Sequence, residues 1–160
     1  MPGTAASETV TAMETGADTA QAAAVQPEEQ EKTLEAVRRY FAADRFAAGS
    51  GAVIEEFGEG YALCSLQVEA RHRNAIGAVM GGVLFTLADF AFAVAANWKQ
   101  VGTVSVHGDI AFLSGVRGKR LLAEARCIRA GRSSCFYQVD VRDELGTHVA
   151  RVSVTGFTKA

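Results

Sequence analysis

The chain has 160 residues, 49% of them hydrophobic and 21% charged, with a formal net charge of −2. That is one domain's worth of sequence with enough apolar material for a real core, which excludes a wholly disordered chain. The charge is uneven: residues 1–32 hold six acids and one lysine (−5), leaving twelve acids and fifteen bases (+3), too mild and too poor in interleaved aromatics for a nucleic-acid groove. Residues 1–27 are rich in Ala, Thr and acids and lack any aromatic residue, so they read as a disordered leader to a folded domain over 28–160. They also lack a basic segment followed by a continuous apolar run, so no secretory signal is expected.

Leu34, Val37, Tyr40, Phe41 and Phe46 recur at helical spacing and predict an amphipathic helix from Glu29 to about Ala47, stopped by Gly49-Ser50-Gly51. Strands follow at Ala52–Phe57 and Tyr61–Ala70, joined by a hairpin turn at Gly58-Glu59-Gly60. After a loop at Arg71–Val79, the run from Gly81 to Trp98 reads as one long helix. It is apolar on nearly every side and so needs cover all round. Four more strands are expected at Thr103–Leu113, Arg120–Arg129, Ser134–Arg142 and His148–Lys159, separated by turn-forming residues. Strands in unbroken succession predict an α+β fold, an antiparallel six-stranded sheet wrapped around one long central helix. The helix is slightly short for a membrane span and carries a charge at its middle, so no membrane partner is expected.

That charge is Asp89, the only ionisable residue between Gly82 and Trp98. Burying a lone carboxylate costs several kcal/mol, so it is either well satisfied or kept for chemistry. Just upstream, Gly81-Gly82 opens the helix, where free N–H groups and the positive end of the dipole favour an anion. An acid paired with an anion-friendly helix mouth suits a reaction that needs a base and a charge stabiliser together. Each residue also has a plain structural reading: Asp89 as a satisfied buried acid, paired glycines for close packing, Asn74 as a turn cap and Ser105 as a strand hydroxyl. His72 and His107 are the imidazoles that chemistry in this region could call on. No histidine pair with a nearby acid has ligand spacing, so no metal is expected. Cys64, Cys127 and Cys135 lack zinc spacing and read as free thiols in a reducing cytoplasm, although a bridge between Cys127 and Cys135 across a hairpin is conceivable.

The series Asn74, Gly77, Gly81, Gly82, Leu87 and Asp89 resembles the motif N-x-x-G-x-x-H-G-G-x-x-x-x-L-x-D of the hotdog-fold acyl-CoA thioesterases of the phenylacetic-acid-degradation (PaaI) type. The resemblance covers roughly residues 35–160, including Asp44-Arg45-Phe46, Ser105 to Ser114 and Gly131-Arg132-Ser133. Met80 departs from it by standing where the family usually has histidine, Gly115 replaces a common proline, and Asp109 stands where asparagine is frequent. What the resemblance implies is hydrolysis of an acyl-CoA thioester at a dimer interface, in a homodimer that pairs into a homotetramer. The backbone N–H of Gly81 would hold the oxyanion, and Asp89 from the other subunit would activate water or attack directly. Asn74 would position the thioester or water, and Ser105 the water. Met80, Gly82 and His72 would line the substrate site, and Gly131, Arg132 and Ser133 would contact the CoA phosphates. No cofactor is implied beyond the coenzyme A of the substrate. Two other readings stay open: a non-catalytic acyl-CoA binder that lost its site with the histidine, and a hotdog dehydratase using His72 or His107.

Overall fold

A computed structural model describes residues 27–99 and 102–159; the expected leader lies outside them except for Pro27. Pro27–Phe41 forms α1, with proline at the first helical position, where its missing N–H goes unused. Val37 and Phe41, one turn apart, are its buried contacts with the core. The single helix expected to run on to Ala47 is in fact two. Asp44 accepts a hydrogen bond from the Ala47 N–H at 3.2 Å and so caps a new short helix, α2 (Arg45–Gly49). A residue that bonds its own backbone three positions on ends one helix and starts another.

Strands β1 (Ala52–Gly58) and β2 (Tyr61–Gln67) form the expected hairpin. β2 stops earlier than expected, because the chain turns through one 3-10 turn at Ala70–His72. The long helix α3 spans Gly81–Asn97, followed by β3 (Thr103–Phe112), β4 (Arg120–Ala130), β5 (Ser134–Asp143) and β6 (His148–Thr158). All pairings are antiparallel, in the order β1-β2-β4-β5-β6-β3. The fold class is therefore the α+β architecture that the strand succession predicts.

One face of this sheet packs on α3. Ala62, Cys64, Leu66, Ala123, Val139 and Val141 alternate inward along their strands against Leu87, Ala88, Ala91 and Val94. The expected all-round cover is incomplete: Gly82, Phe85, Thr86, Asp89, Ala93 and Ala96 form an open stripe along the helix, at the three-and-four spacing of one helical face. Beside that stripe runs β3, which ends the sheet and has a free edge. The Asn97 side chain ties helix to strand by bonding both the carbonyl (2.8 Å) and the N–H (2.6 Å) of Thr103. Gly108 lets the two approach closely, since a Cβ there would lie 2.9 Å from the Phe85 ring.

Asp143, at 1% exposure, fastens the other end of the sheet. Its carboxylate accepts hydrogen bonds from the N–H groups of Arg117, Gly118, Leu145 and Thr147. Burial raises its pKa, but these donors win and bring it down to about 2. They hold the β3–β4 loop against the β5–β6 turn, and that loop forms a wall beside Gly81. A depressed carboxylate contributes stability above its unfolded pKa of about 4 and loses it as pH falls through the folded value. Asp143→Ala should therefore cost at least ~2 kcal/mol at neutral pH, with donors left unpaired. Chemical denaturation should show that deficit shrinking between about pH 4 and pH 2.

Candidate active site

Asp89 sits at the middle of the open stripe, in a recess of about 220 Å³ between α3 and β3 that Phe85, Ser105, Gly108 and Val152 also line. Burial raises its pKa, hydrogen bonding from the Ser105 hydroxyl lowers it, and the nearby Asp44 carboxylate raises it again; the balance lies above the ordinary aspartate value. Among the described residues, this is the one carboxylate whose pKa stands raised. The structure thus brings two expected site residues, Asp89 and Ser105, together in one recess.

The mouth of α3 is the second component. Met80 is the N-cap residue in extended conformation, and its side chain makes no capping hydrogen bond. Val83 N–H bonds the Met80 carbonyl, which leaves the Gly81 and Gly82 amides as the first-turn donors directed outward. The Phe112 ring lies against Gly81, where a Cβ would come within 2.7 Å of it, so β3 runs past the helix mouth as well as past Asp89. Eight residues separate Gly81 from Asp89, about 12 Å along the helix. Within one protomer, amides and acid therefore face different ends of β3.

The loop before α3 is held by its own side chains. Asn74 Oδ1 accepts from the N–H groups of Ile76 and Ala78, at 3.1 and 3.0 Å, so the turn-capping reading of Asn74 is real, with its amide nitrogen facing out. His72 is 4% exposed and spent on both sides: Nδ1 accepts from Glu69 N–H at 2.9 Å, and Nε2 lies 3.0 Å from the Ser50 carbonyl. With Nδ1 accepting, the proton sits on Nε2, and the ring pins this loop to α2. His72, expected to line the substrate site, lies at the back of a groove whose front is Met80. His107 is exposed on β3 and makes no hydrogen bond to Asp89 among the described residues.

Gly131, Arg132 and Ser133 form the β4–β5 turn, beside a cavity of about 400 Å³ at the far end of α3 that Trp98, Lys99 and Cys135 also line. The Gly131 N–H donates to the Ser134 carbonyl at 2.8 Å. Any anion here would meet the Arg132 guanidinium instead. Cys127 stands opposite Tyr137 and Cys135 opposite Ala130, so the two thiols do not face each other; all three cysteines are free. Sequence reasoning missed Asp44 as a neighbour of Asp89. Its signal was the acid that interrupts a helical pattern.

The family model of the thioesterase superfamily matches residues 76–150, from the loop before α3 into β6. The chain is 32% identical to acyl-coenzyme A thioesterase PaaI of Escherichia coli over 108 residues, 67% of this chain and 77% of that protein. It is 31% identical to human acyl-coenzyme A thioesterase 13 over 88 residues, 53% of this chain. Of some curated relatives it spans just under two thirds of the length, 64% of one from Archaeoglobus fulgidus and 63% of the human protein. The solved E. coli PaaI structure superposes with a TM-score of 0.75 at 26% identity, over 82% of this chain and 96% of that one. A Streptococcus mutans protein solved with acetyl-CoA superposes with a TM-score of 0.64 at 26% identity, over 69% and 90%. The sheet on its single long helix is the hotdog fold of these neighbours.

The burial of Asp89 has a measurable cost. A carboxyl raised in the folded state favours folding while protonated and loses that contribution as pH rises through its folded pKa. Asp89→Asn should therefore melt a few degrees above the parent chain at pH 7, with the gap closing below about pH 4. Scanning calorimetry at the two pH values checks this.

Proposed function

The chain belongs to the thioesterase superfamily, among its PaaI-type members, and from that premise we propose that it hydrolyses acyl-CoA thioesters at a site shared by two copies. The observation that carries the reading is the separation of about 12 Å between the Gly81 amide and Asp89 on one rigid helix. No single thioester carbonyl can touch both. A second copy removes the difficulty. The free edge of β3 carries Val104, Val106 and Phe112 exposed to water, and such an edge is a liability unless it is paired. Pairing β3 antiparallel with itself about Gly108 would set Ser105 opposite the partner's Ala111, one residue from the ring that covers the partner's Gly81. Asp89 of one copy and the amide of the other would then flank one carbonyl, and the open stripe of α3 would be covered.

In that site Asp89, ionised, takes a proton from a water held beside it by Ser105. The water oxygen adds to the thioester carbonyl, and the Gly81 N–H holds the resulting oxyanion. Collapse breaks the C–S bond, and the departing CoA thiolate takes the proton from Asp89. Direct attack by the carboxylate uses the same geometry, with water entering at the second step. The outward amide nitrogen of Asn74 is suited to orient the thioester, and Arg132 and Ser133 to hold the CoA phosphates. The bound acetyl-CoA of the S. mutans neighbour supports the ligand class. Loss of the motif histidine leaves the backbone donor in place, which favours an active enzyme over a silent binder. Phe136 and Phe157, half-exposed on the sheet face turned from α3, suit a further pairing of dimers into a tetramer. Three free cysteines suit a cytoplasmic home.

Asp89→Asn should lower acyl-CoA hydrolysis by two orders of magnitude or more; unchanged thiol release would remove this carboxylate from the chemistry. Gly81→Pro deletes the donor at a first helical position after a residue already extended, and because its Cβ also displaces the Phe112 ring, circular dichroism and assembly are checked on the same sample. It should cost about 10²–10³ in kcat. Mixing the two inactive variants should restore about a quarter of parent activity, since half the dimers are mixed and each holds one intact site. A mixture as inactive as its components would refute the shared site. Ser105→Ala removes the bond that lowers the Asp89 pKa, so the acid limb of the pH–rate profile should move to higher pH.

A further inference from the structure

Two grooves flank the mouth of α3, and they differ in chemistry. On the Gly81 side a broad one of about 490 Å³ runs under Phe112, Leu113 and the β3–β4 loop. On the Gly82 side a smaller one of about 270 Å³ lies between α2 and α3, lined by Phe46, Met80, Val83 and Thr86, with Arg71 at its rim. In the smaller groove two large apolar side chains stand in water: Phe46 is 75% exposed and Met80 49%. The Met80 thioether folds back over the helix, its methyl carbon only 2.7 Å from where a Gly82 Cβ would lie. It therefore sits directly beside the amides that would hold a carbonyl.

Three polar side chains around this groove, those of His72, Ser50 and Arg71, are already committed. Both His72 nitrogens bond the backbone. The Ser50 hydroxyl donates to the Phe46 carbonyl at 2.8 Å. Arg71 pairs with Glu69 and donates to the Gly49 carbonyl at 2.7 Å. A guest here gains little by hydrogen bonding and much by covering Phe46 and Met80.

We propose that this groove is the acyl pocket of the thioesterase site, and that Met80 and Phe46 set its preference for medium-length aliphatic acyl groups. The proposal rests on the thioesterase reading above and names its substrate class. A groove of about 270 Å³ has room for an aliphatic chain of several carbons, more than an acetyl group fills. The longer pantetheine arm then leaves by the broader groove on the Gly81 side. Methionine at residue 80 replaces a polar ring with a flexible thioether, which can lie along chains of differing length.

The test is a series of kcat/KM values for acetyl-, hexanoyl-, octanoyl- and palmitoyl-CoA, read as the octanoyl-to-acetyl ratio. The parent chain should favour octanoyl-CoA by at least about tenfold. Met80→Asn and Phe46→Ala should each reduce that ratio by about tenfold, chiefly through KM, whereas Met80→Leu should keep it within about twofold. Both residues are well exposed, so these variants should fold; circular dichroism and sedimentation on the same samples check it. A parent ratio near one, or a ratio that neither variant moves, overturns the assignment while thiol release itself continues. Loss of assembly with an unmoved ratio assigns the groove to the subunit contact and overturns it too. No hydrolysis of any thioester by the parent chain overturns this proposal together with the thioesterase reading.

Discussion

An α-helix advances about 1.5 Å per residue, and that rigidity governs what this molecule can do. Asp89 and the Gly81 amide lie on one helix eight residues apart, so no side-chain rearrangement brings them together. The same helix also fills the concave face of the sheet with Leu87, Ala88, Ala91 and Val94, all fully buried. Its core-facing side fixes its place, and its open side is left for chemistry. A site assembled from two such helices keeps both groups rigid, which electrostatic stabilisation requires, since the donor must already point at the charge before it forms.

β3 is the element through which these demands are met. It touches the helix mouth through Phe112, the middle of the helix through Gly108 and Ser105, and the helix end through Thr103. Because every one of these contacts lies along a single strand, the position of β3 sets the positions of acid and amides together. At its far end, the loop that continues from it is held by Asp143 and Glu144, which accept from the N–H groups of Arg117, Gly118, Lys119 and Arg120. Carboxylates with depressed pKa values, Asp143 and Glu144, thus contrast with Asp89, whose pKa is raised. The sorting follows the donors: Asp143 has four backbone N–H groups, whereas Asp89 has one hydroxyl and a neighbouring acid.

The fold was legible because its signals are long and periodic. An unbroken apolar run with one charge identified α3, and alternating strands with Gly-rich turns identified the sheet. What escaped was local chemistry that competes with periodicity. Asp44 broke a helix whose apolar spacing continued through it, because one carboxylate bonding the backbone outweighs the pattern of the residues around it. Motif spacing singled out Asp89, Ser105 and the glycine pair, and the structure puts the first two in one recess and the pair at the mouth of α3. That both His72 nitrogens and the Gly131 N–H are spent on the backbone was not legible, because whether a polar group is free depends on partners distant in sequence or folded back on it. The Ser50 carbonyl, twenty-two residues from His72, was invisible to any local reading.

The same reasoning explains why a methionine is tolerated where relatives of the motif carry histidine. The main-chain conformation at residue 80, φ −68° and ψ 136°, suits almost any side chain, and the helix mouth is made by the amides that follow it. The donor that matters therefore belongs to the backbone, and the side chain at residue 80 is free to vary with the ligand. An imidazole there adds a polar contact, whereas a thioether gives it up and extends the apolar wall that begins at Phe46 and Val83. In the proposed site, chemistry and selectivity would fall to adjacent residues through different parts of the peptide: Gly81 through its main chain and Met80 through its side chain. Such a division lets substrate preference change without moving the reacting groups.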